Sequence, residues 1–332
     1  MRRKLLKVLV CPKCQAELEC TATEGSDDGD ICTGMLLCQR CKGSYPILRG
    51  IPRFVSDEQH ASSFGYQWNQ FRSLQIDSLN GTRLSEKRFY SETGWHDDWL
   101  KGAWVIDAGC GAGRFLEVVS RTDCEAVGVD ISSAIDAAAQ ILAGRPNVHL
   151  VQASLEELPF AAGVFDACYC IGVIQHTPAP RRALKSLPRL LKPNGLFAVT
   201  IYERRRWTLL HMKYLIRPIT KRFKQTTLLS LIKGSMPVLF PITEICYRLP
   251  LVGRFFAFII PVANYVDEPE LHLQQRYQWA VLDTFDMLSP QYDQPQKRNQ
   301  VIADLEREGI VDIKEPRTGG LNIIGRKAAG PA

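Results

Sequence analysis

The sequence predicts an α/β fold with a parallel sheet, preceded by a small cysteine-rich β module. From residue 103 onward, short apolar strands alternate with helical patterns, which is typical of a parallel sheet covered by helices. A glycine-rich turn follows the first of these strands. Six of the eleven cysteines precede residue 42 and mark the module. The 332 residues, 45% apolar and 23% charged, suffice for one such domain and this appendage.

The charge of the chain does not identify a partner. Its 41 Lys and Arg against 35 Asp and Glu leave a net charge of +6, too mild for a dedicated nucleic-acid coat. The apolar run at the start stops at Cys11, too early for an export signal. Glu244, Arg248 and Arg254 interrupt the most apolar stretch, so we expect no spanning helix. These features predict a cytoplasmic chain, with peripheral membrane contact left open.

The N-terminal module, residues 1–56, carries two C-x-x-C pairs separated by 23 residues. Four thiolates can close a tetrahedral zinc site, although this separation is slightly longer than usual. The predicted ligands are Cys11, Cys14, Cys38 and Cys41. The alternative is a small β module with reduced cysteines and no metal. Two further cysteines, Cys20 and Cys32, are expected to be buried and to face each other.

The module resembles a known small protein. The segment LLKVLVCPKCQAELE followed by LLCQRCKGSYPILRGIPRF is similar to the zinc-ribbon protein that serves as the activating subunit of several methyltransferases. The resemblance covers roughly residues 5–55. It implies a structural zinc ion and a module that stabilises a catalytic partner without doing chemistry itself.

The segment AWVIDAGCGAGRF, residues 103–115, runs from a strand through three glycines into a helix. Glycines there let the backbone approach a ligand at the helix N-terminus. The dinucleotide-binding motif G-x-G-x-x-G would need its third glycine where this chain has Arg114, so that motif is excluded. The chain has G-x-G-x-G instead. The next strand, AVGVD, ends in Asp130, whose carboxylate can accept both hydroxyls of a ribose.

Two later strands also end in polar residues. VHLVQ leads to Ser154, and FDACYCIG leads to a segment that contains His176. The carboxyl ends of parallel strands meet at one edge of a sheet, where ligands bind. We therefore expect the glycine turn, Asp130, Ser154 and His176 to converge.

The ordered set VIDAGCGAGRF, VGVD, a polar residue before LPF, FDACYCIGVIQHTP and LKPNGLFAV resembles the class I S-adenosylmethionine-dependent methyltransferases of the ubiquinone-biosynthesis type. The resemblance implies a Rossmann-like seven-stranded sheet and S-adenosylmethionine as cofactor. It implies that Asp107 engages the methionine amino group, that Gly109 and Gly111 form its backbone surroundings, and that Asp130 binds the ribose. The family usually has aspartate where this chain has Ser154, so adenine recognition is left open.

Adenine recognition can be shared between Ser154 and the following Glu156 or Glu157. A general base is needed only if the acceptor holds its proton at neutral pH. His176 is then the first candidate, with Tyr202 or Glu203 at the end of the fifth strand next. The alternative for His176 is a purely structural role.

Four segments are predicted to follow the module. They are lead-in helices that cover the cofactor site at 57–100, the cofactor-binding core at 101–202, a helical cap insertion at 203–290, and the last helix with the C-terminal strands at 291–332. Tyr66, Gln67 and Trp68 are candidates for the cover. The insertion joins a basic amphipathic stretch, 203–233, to an apolar one, 249–265, which predicts either a substrate cap or a membrane contact.

The predicted function is methyl transfer to an oxygen or nitrogen of a small-molecule, saccharide or lipid-linked acceptor. One alternative is an RNA (rRNA or tRNA) base methyltransferase with an N-terminal zinc module. Nucleic acid is less favoured because the similar ribosomal RNA enzymes have a histidine in the second knuckle, where this chain has Cys41. The other alternative, a non-catalytic scaffold of the same fold, is disfavoured by the intact Asp107 and Asp130.

Overall fold

The structure, a computed structural model, describes residues 1–25, 29–55 and 62–330. The N-terminal module is a four-stranded antiparallel sheet in the order β1-β2-β3-β4. Its strands are β1 (Glu19–Gly25), β2 (Ile31–Leu37), β3 (Ser44–Leu48) and β4 (Ile51–Pro52). The prediction that Cys20 and Cys32 face each other is wrong. Cys20 pairs with Leu36, and Cys32 lies on the outer face of β2 next to the buried Ile31.

Four helices connect the module to the central sheet. They are α1 (Ser62–Gln75), α2 (Asp77–Asn80), α3 (Leu84–Thr93) and α4 (Asp97–Leu100). Asp77 fixes the turn between α2 and α3, because its carboxylate accepts the backbone N–H groups of Ser85 at 3.0 Å and Glu86 at 2.9 Å. These are two of the donors that a helix start leaves without a partner inside the helix.

The central sheet has seven strands in the order β10-β11-β9-β8-β5-β6-β7. Its first part consists of β5 (Trp104–Ala108), α5 (Arg114–Val119), β6 (Glu125–Asp130), α6 (Ala134–Ile141), β7 (Val148–Gln152), β8 (Phe165–Ile171), α7 (Pro180–Ser186) and β9 (Leu191–Ile201). The five strands β5 to β9 are parallel. From β5 the chain builds first toward β7 and then, on the other side, toward β9. The strand order therefore reverses between β5 and β8, where ligands bind in such sheets.

An insertion separates β9 from the elements that complete the sheet. It contains α8 (Met212–Thr220), α9 (Gln225–Cys246), α10 (Gly253–Ile259) and α11 (Leu273–Leu288). The completing elements are α12 (Arg298–Arg307), β10 (Ile310–Lys314) and β11 (Leu321–Lys327), with β11 antiparallel to β9. The predicted α/β architecture, with a seven-stranded sheet, an N-terminal β module and a helical insertion, is confirmed.

The insertion has an apolar core of its own. Side chains of α9, including Met236 and Phe240, pack against Ala280 and Phe285 of α11, and Phe71 of α1 joins this cluster. Fully burying a side chain of this size contributes about 1.5–3 kcal/mol, as an upper estimate. The burial fixes α11 over the carboxyl edge of the sheet.

One helix in the described part of the chain, Gln225–Cys246, is long and apolar enough to cross a membrane. The expectation of no such helix considered only uncharged apolar windows, whereas this helix contains Lys233 and Glu244. A third of its most apolar window is buried against the protein, and core helices of soluble proteins pass the same test.

The N-terminal module shares a continuous apolar core with the central sheet. Its buried Leu9 forms a β-bridge with Phe160, and both belong to one cluster that spans module and sheet. The N–H of Phe54 donates to the carbonyl of Gln152 at 2.8 Å, and Arg53 contacts Asp136 at 2.7 Å. The module therefore extends the β7 edge of the sheet and is packed as part of one body.

Candidate active site

A cavity of about 390 Å3 opens at the carboxyl ends of the parallel strands. Its wall combines the turns after β5, β6, β7 and β8 with residues of α1, α3 and α11. Gly109, Gly111, Asp130, Ser154 and His176 all line it. The structure thus brings together the residues that the sequence expected to converge.

The glycine turn after β5 has no room for side chains. Gly109 has φ 92°, and a Cβ atom there would lie 2.5 Å from the side chain of Val173. Gly113 has φ 91°, and its Cβ would lie 2.9 Å from Leu142. Both the left-handed backbone and the close contacts require glycine. The turn therefore presents bare backbone to the cavity at the start of α5.

Asp130 is held at the end of β6 by backbone and hydroxyl donors. Its Oδ2 accepts the N–H of Gly111 at 2.9 Å, and its Oδ1 accepts the N–H and the hydroxyl of Ser132 at 2.8 and 2.7 Å. Burial raises the pKa of Asp130, and the bonds from Ser132 oppose that rise. Each carboxylate oxygen has two lone pairs, so Oδ1 is filled by the bonds from Ser132, whereas Oδ2 keeps a lone pair for a hydrogen bond from a ligand.

Asp107 lies beneath the glycine turn and is only 2% exposed. Burial raises its pKa to about 8. The Tyr169 hydroxyl beside the carboxyl opposes this rise of the pKa, but no donor among the described residues makes a hydrogen bond of good geometry to Oδ2. A buried acceptor without a partner is costly, and a cationic or hydrogen-bonding ligand would satisfy it. Asp107 is not among the residues that line the cavity, so the methionine amino group of the expected cofactor would have to reach this oxygen past the glycine turn.

The part of the cavity wall that follows β7 contains Ser154 and Glu156. The hydroxyl of Ser154 accepts the N–H of Glu156 at 3.2 Å, and the carboxylate of Glu156 accepts the N–H of Ala179 at 3.0 Å. Glu157 is exposed and paired with Arg182 at 2.9 Å, away from the cavity wall. Of the two glutamates left open by the sequence, the structure places Glu156 at the cavity.

His176 is 8% exposed and sits where β8 meets the insertion. Its Nδ1 lies 2.9 Å from the carbonyl oxygen of Tyr292. A carbonyl can only accept, so Nδ1 carries the proton and Nε2 can take one up. The ring packs edge-on against Tyr202, which also lines the cavity, whereas Glu203 is paired with Arg205. Asp286 interacts electrostatically with His176.

Sequence reasoning missed the contribution of α11. Trp279, Asp283 and Asp286 follow one another by four and three residues, which places them on one helix face, and all three line the cavity. The signal was this helical spacing of polar and aromatic residues. Burial and the nearby Asp286 raise the pKa of Asp283 to about 7. Tyr265 donates a hydrogen bond to Asp283.

The lead-in helices contribute Gln67, Gln75, Leu84 and Arg88 to the cavity wall. Gln67 hydrogen-bonds Asp286, Tyr66 packs against the ring of Phe285, and the side chain of Trp68 lies outside the described residues. Arg114, at the start of α5, is 5.3 Å from the ring of Trp279, and burial lowers its pKa to about 10.

The four predicted metal ligands converge in the module. All four Sγ atoms of Cys11, Cys14, Cys38 and Cys41 lie within 4.8 Å of one another. The closest pairs are Cys11 with Cys41 at 3.5 Å and Cys14 with Cys38 at 3.4 Å. Tetrahedral zinc with Zn–S bonds of about 2.3 Å needs sulfurs about 3.8 Å apart. The donor set and its spacing therefore fit a structural zinc ion.

The Cys11 thiol ionises more readily than an ordinary cysteine thiol. Burial opposes the charged form of Cys11, but hydrogen bonds from the Tyr45 hydroxyl and from the backbone outweigh that effect and lower its pKa to about 6. The Tyr45 hydroxyl lies 3.3 Å from the Cys11 sulfur. A thiolate is the form that binds metal.

Two protein families match this chain. Residues 106–199 match the family described as a methyltransferase domain, and residues 2–50 match the Trm112p-like protein family. The first match covers β5 to β9, which carry the cavity. The second covers the four cysteines.

Curated relatives are similar over part of the chain. The ubiquinone biosynthesis O-methyltransferase of Acinetobacter baumannii strain AYE is 29% identical over 175 residues, which cover 49% of this chain and 69% of that protein. The enzyme of the same name from Alkalilimnicola ehrlichii is 34% identical over 99 residues, covering 29% of this chain and 40% of that protein.

Two solved structures align with part of this chain. Human N-acetylserotonin methyltransferase in complex with SAM aligns with a TM-score of 0.45 and 15% identity, covering 83% of this chain and 61% of that one. A methyltransferase described as putative from Bacillus halodurans aligns with a TM-score of 0.39 and 14% identity, covering 70% of this chain and 71% of that one.

Proposed function

We propose that this chain, an S-adenosylmethionine-dependent methyltransferase with an N-terminal Trm112p-like module, methylates an oxygen or nitrogen of a small-molecule, saccharide or lipid-linked acceptor. The acceptor binds between His176 and α11. The observation that carries the proposal is that a buried histidine, its Nδ1 fixed by the Tyr292 carbonyl, lines the same cavity as the glycine turn and Asp130.

The cofactor end of the cavity is assigned to the residues around the glycine turn. Bound S-adenosylmethionine supplies an electrophilic methyl group on a sulfonium. Asp130 accepts the ribose hydroxyls, Asp107 faces the methionine amino group, and the bare backbone at Gly109 and Gly111 admits the ligand. Ser154 and Glu156 are the acceptors nearest the adenine.

His176 is assigned as the base for a hydroxyl acceptor. As the acceptor oxygen bonds to the methyl carbon, the sulfur keeps the electron pair of the broken S–C bond and the hydroxyl proton passes to Nε2 of His176. The Tyr292 carbonyl holds the ring in the tautomer that can accept this proton. The carboxylate of Asp286 stabilises the resulting imidazolium. Burial of the group under α11 excludes water from the reaction.

The His176→Ala variant is expected to lower kcat by about 100-fold, a usual contribution of a positioned base. Its affinity for S-adenosylhomocysteine should stay near that of the wild type, because His176 serves the acceptor end. Turnover is measured as S-adenosylhomocysteine formed per enzyme per unit time at saturating acceptor. Unchanged turnover with a lowered melting temperature would assign His176 a structural role only.

The Asp286→Asn variant is expected to lower kcat by about tenfold and to move the acid limb of the pH profile to lower pH. Burial raises the pKa of Asp286, so in the wild type the carboxylate is neutralised as pH falls through that raised value, and its stabilisation of the imidazolium is lost. The amide does not titrate. An acid limb identical to that of the wild type would contradict the pairing. Glu157→Gln, at an exposed residue away from the cavity wall, is the matched control.

The acceptor class is tested with the full chain and radiolabelled S-adenosylmethionine. Hydroxylated aromatic compounds, saccharides and lipid-linked saccharides form the panel, with total RNA as the alternative. We expect label in a non-nucleic-acid product. Label in RNA alone would establish the RNA methyltransferase alternative, and cofactor binding without label in any class would favour the scaffold.

A further inference from the structure

The insertion exposes an unusual amount of apolar surface. Among the described residues, twenty large apolar side chains are exposed, and fourteen of these lie between residues 207 and 255. Contiguous exposed patches of this kind mark interaction sites on soluble proteins. The surface is independent of the cavity, because α9 presents it on the side that does not pack against α11.

The exposed residues of α9 form a stripe. Leu231, Val238, Ile242 and Ile245 are 42–68% exposed. Their spacings of seven, four and three residues place them on one helix face. The buried residues of the same helix, such as Met236 and Phe240, lie on another face and pack toward α11. The helix is therefore apolar on two faces, and the protein covers only one of them.

The stripe continues into the loop that follows α9. Leu251 is completely exposed and has φ 67°, a left-handed conformation that leucine rarely adopts. The N–H of Gly253 donates to the carbonyl of Leu249 at 2.9 Å, which closes the loop. A Cβ atom on Gly253 would lie 2.3 Å from the carbonyl oxygen of Tyr247. The fold thus builds a tight loop that holds an apolar side chain out into solvent.

Unpaired cations flank this surface. Residues 204–254 contain eleven Lys and Arg and one acid, Glu244. Glu244 is already engaged by Arg248 and Arg276. Within the described chain, seven of the eleven cations take part in no ion pair. They are Arg204, Arg206, Lys221, Arg222, Lys224, Lys233 and Arg254.

We propose that this surface docks on a lipid bilayer with anionic headgroups. The docking surface comprises the α9 stripe, the loop 249–252 and Phe255, together with six of the seven cations. Lys233 is left out because it lies over the ring of Phe71 on the covered side of α9. Apolar side chains that enter the interface and cations that attract anionic headgroups are the two components of interfacial binding. A second copy of the chain would bring like charges together, and RNA would leave the apolar stripe uncovered. A bilayer with anionic headgroups covers the apolar side chains and also attracts the cations.

The test is cosedimentation of the full chain with vesicles of phosphatidylcholine alone or mixed with phosphatidylglycerol. We expect binding to the anionic vesicles that weakens as salt is raised. Leu251→Asp should reduce this binding at least tenfold without loss of folding, because the residue is fully exposed and aspartate tolerates the left-handed conformation. Val311→Asp, at an exposed position on β10, is the matched control and should bind like the wild type.

The cations are tested separately. Replacing Lys221, Arg222 and Lys224 with Ala should weaken binding to anionic vesicles and flatten its salt dependence. Absence of binding at low salt, or binding unchanged in both variants, would overturn the proposal. A dimer in solution that Leu251→Asp dissociates would assign the surface to a second copy. Association released only by detergent would assign Gln225–Cys246 as a spanning helix. Binding to RNA in place of vesicles would assign the cations to nucleic acid.

These outcomes are separable from those of the proposed function. Vesicle binding needs neither cofactor nor turnover, and the substituted residues lie outside the cavity wall. The variants should therefore retain wild-type affinity for S-adenosylhomocysteine.

Discussion

Asp130→Ala is expected to weaken binding of S-adenosylhomocysteine by at least about 100-fold. In the proposed complex the carboxylate accepts the ribose hydroxyls mainly through Oδ2, and a hydrogen bond to a charged group contributes about 1.5–3 kcal/mol. The substitution also removes the acceptor of the Gly111 N–H, which loosens the glycine turn. Isothermal titration calorimetry measures the change directly.

The control for this prediction separates binding from folding. The melting temperature of Asp130→Ala without ligand should fall by only a few degrees, because relief of the buried carboxylate offsets part of the loss of its bonds from Gly111 and Ser132. Asp107→Ala is expected to weaken binding as well, because it removes the orphaned acceptor under the turn. Wild-type affinity in both variants would show that the cofactor does not bind at this end of the cavity.

The cofactor end was predictable because its residues follow strands. Gly109, Asp130, Ser154 and His176 each lie at the end of an apolar strand or within five residues after it, and the parallel topology brings strand ends together without further information. The sequence also indicated the four-cysteine cluster from spacing alone. The cofactor end needed only the strand pattern and the rule that parallel strand ends meet at one edge, and the cysteine cluster needed only the spacing.

The acceptor end was not predictable in the same way. Asp283 and Asp286 lie far along the chain from β5, and they reach the cavity only because α11 packs against α1 and α9. Arg114 follows the glycine turn, yet its place beside Trp279 depends on that same packing. The side on which an inserted helix docks is decided by complementary surfaces, which the local pattern does not encode.

Strand register explains the one clear failure in the module. The symmetric positions of Cys20 and Cys32 about the hairpin suggested a facing pair. Gly25 pairs with Ile31, and Cys20 pairs with Leu36, five residues further from the hairpin tip on each strand. The residue opposite Cys20 therefore lies four positions beyond Cys32. The point at which a hairpin turns sets this pairing, and the positions of the two cysteines alone do not reveal it.

Removal of the metal ligands is expected to have the largest effect on stability. The double variant Cys11→Ser, Cys38→Ser should bind no zinc and should lower the melting temperature by about 10 °C or more. Both residues are buried in the cluster that the module shares with the central sheet, so the loss of stability extends beyond the N-terminal module. A structural zinc site contributes several kcal/mol to folding, and each kcal/mol corresponds to about 2–4 °C in a domain of this size. Elemental analysis of the wild type, purified without added metal, should give one zinc per chain.

The matched control is Cys32→Ser, because Cys32 is exposed and lies outside the four-thiol cluster. It should retain both the zinc and the wild-type melting temperature. Since the module packs against Phe160 and Gln152, chelation of the metal should also lower the temperature at which the central sheet unfolds, and a single transition should be seen. A zinc content near zero with all four thiols titratable would show that the cysteines hold no metal. Zinc loss that left the unfolding of the sheet unchanged would instead mean that the module folds as a separate unit.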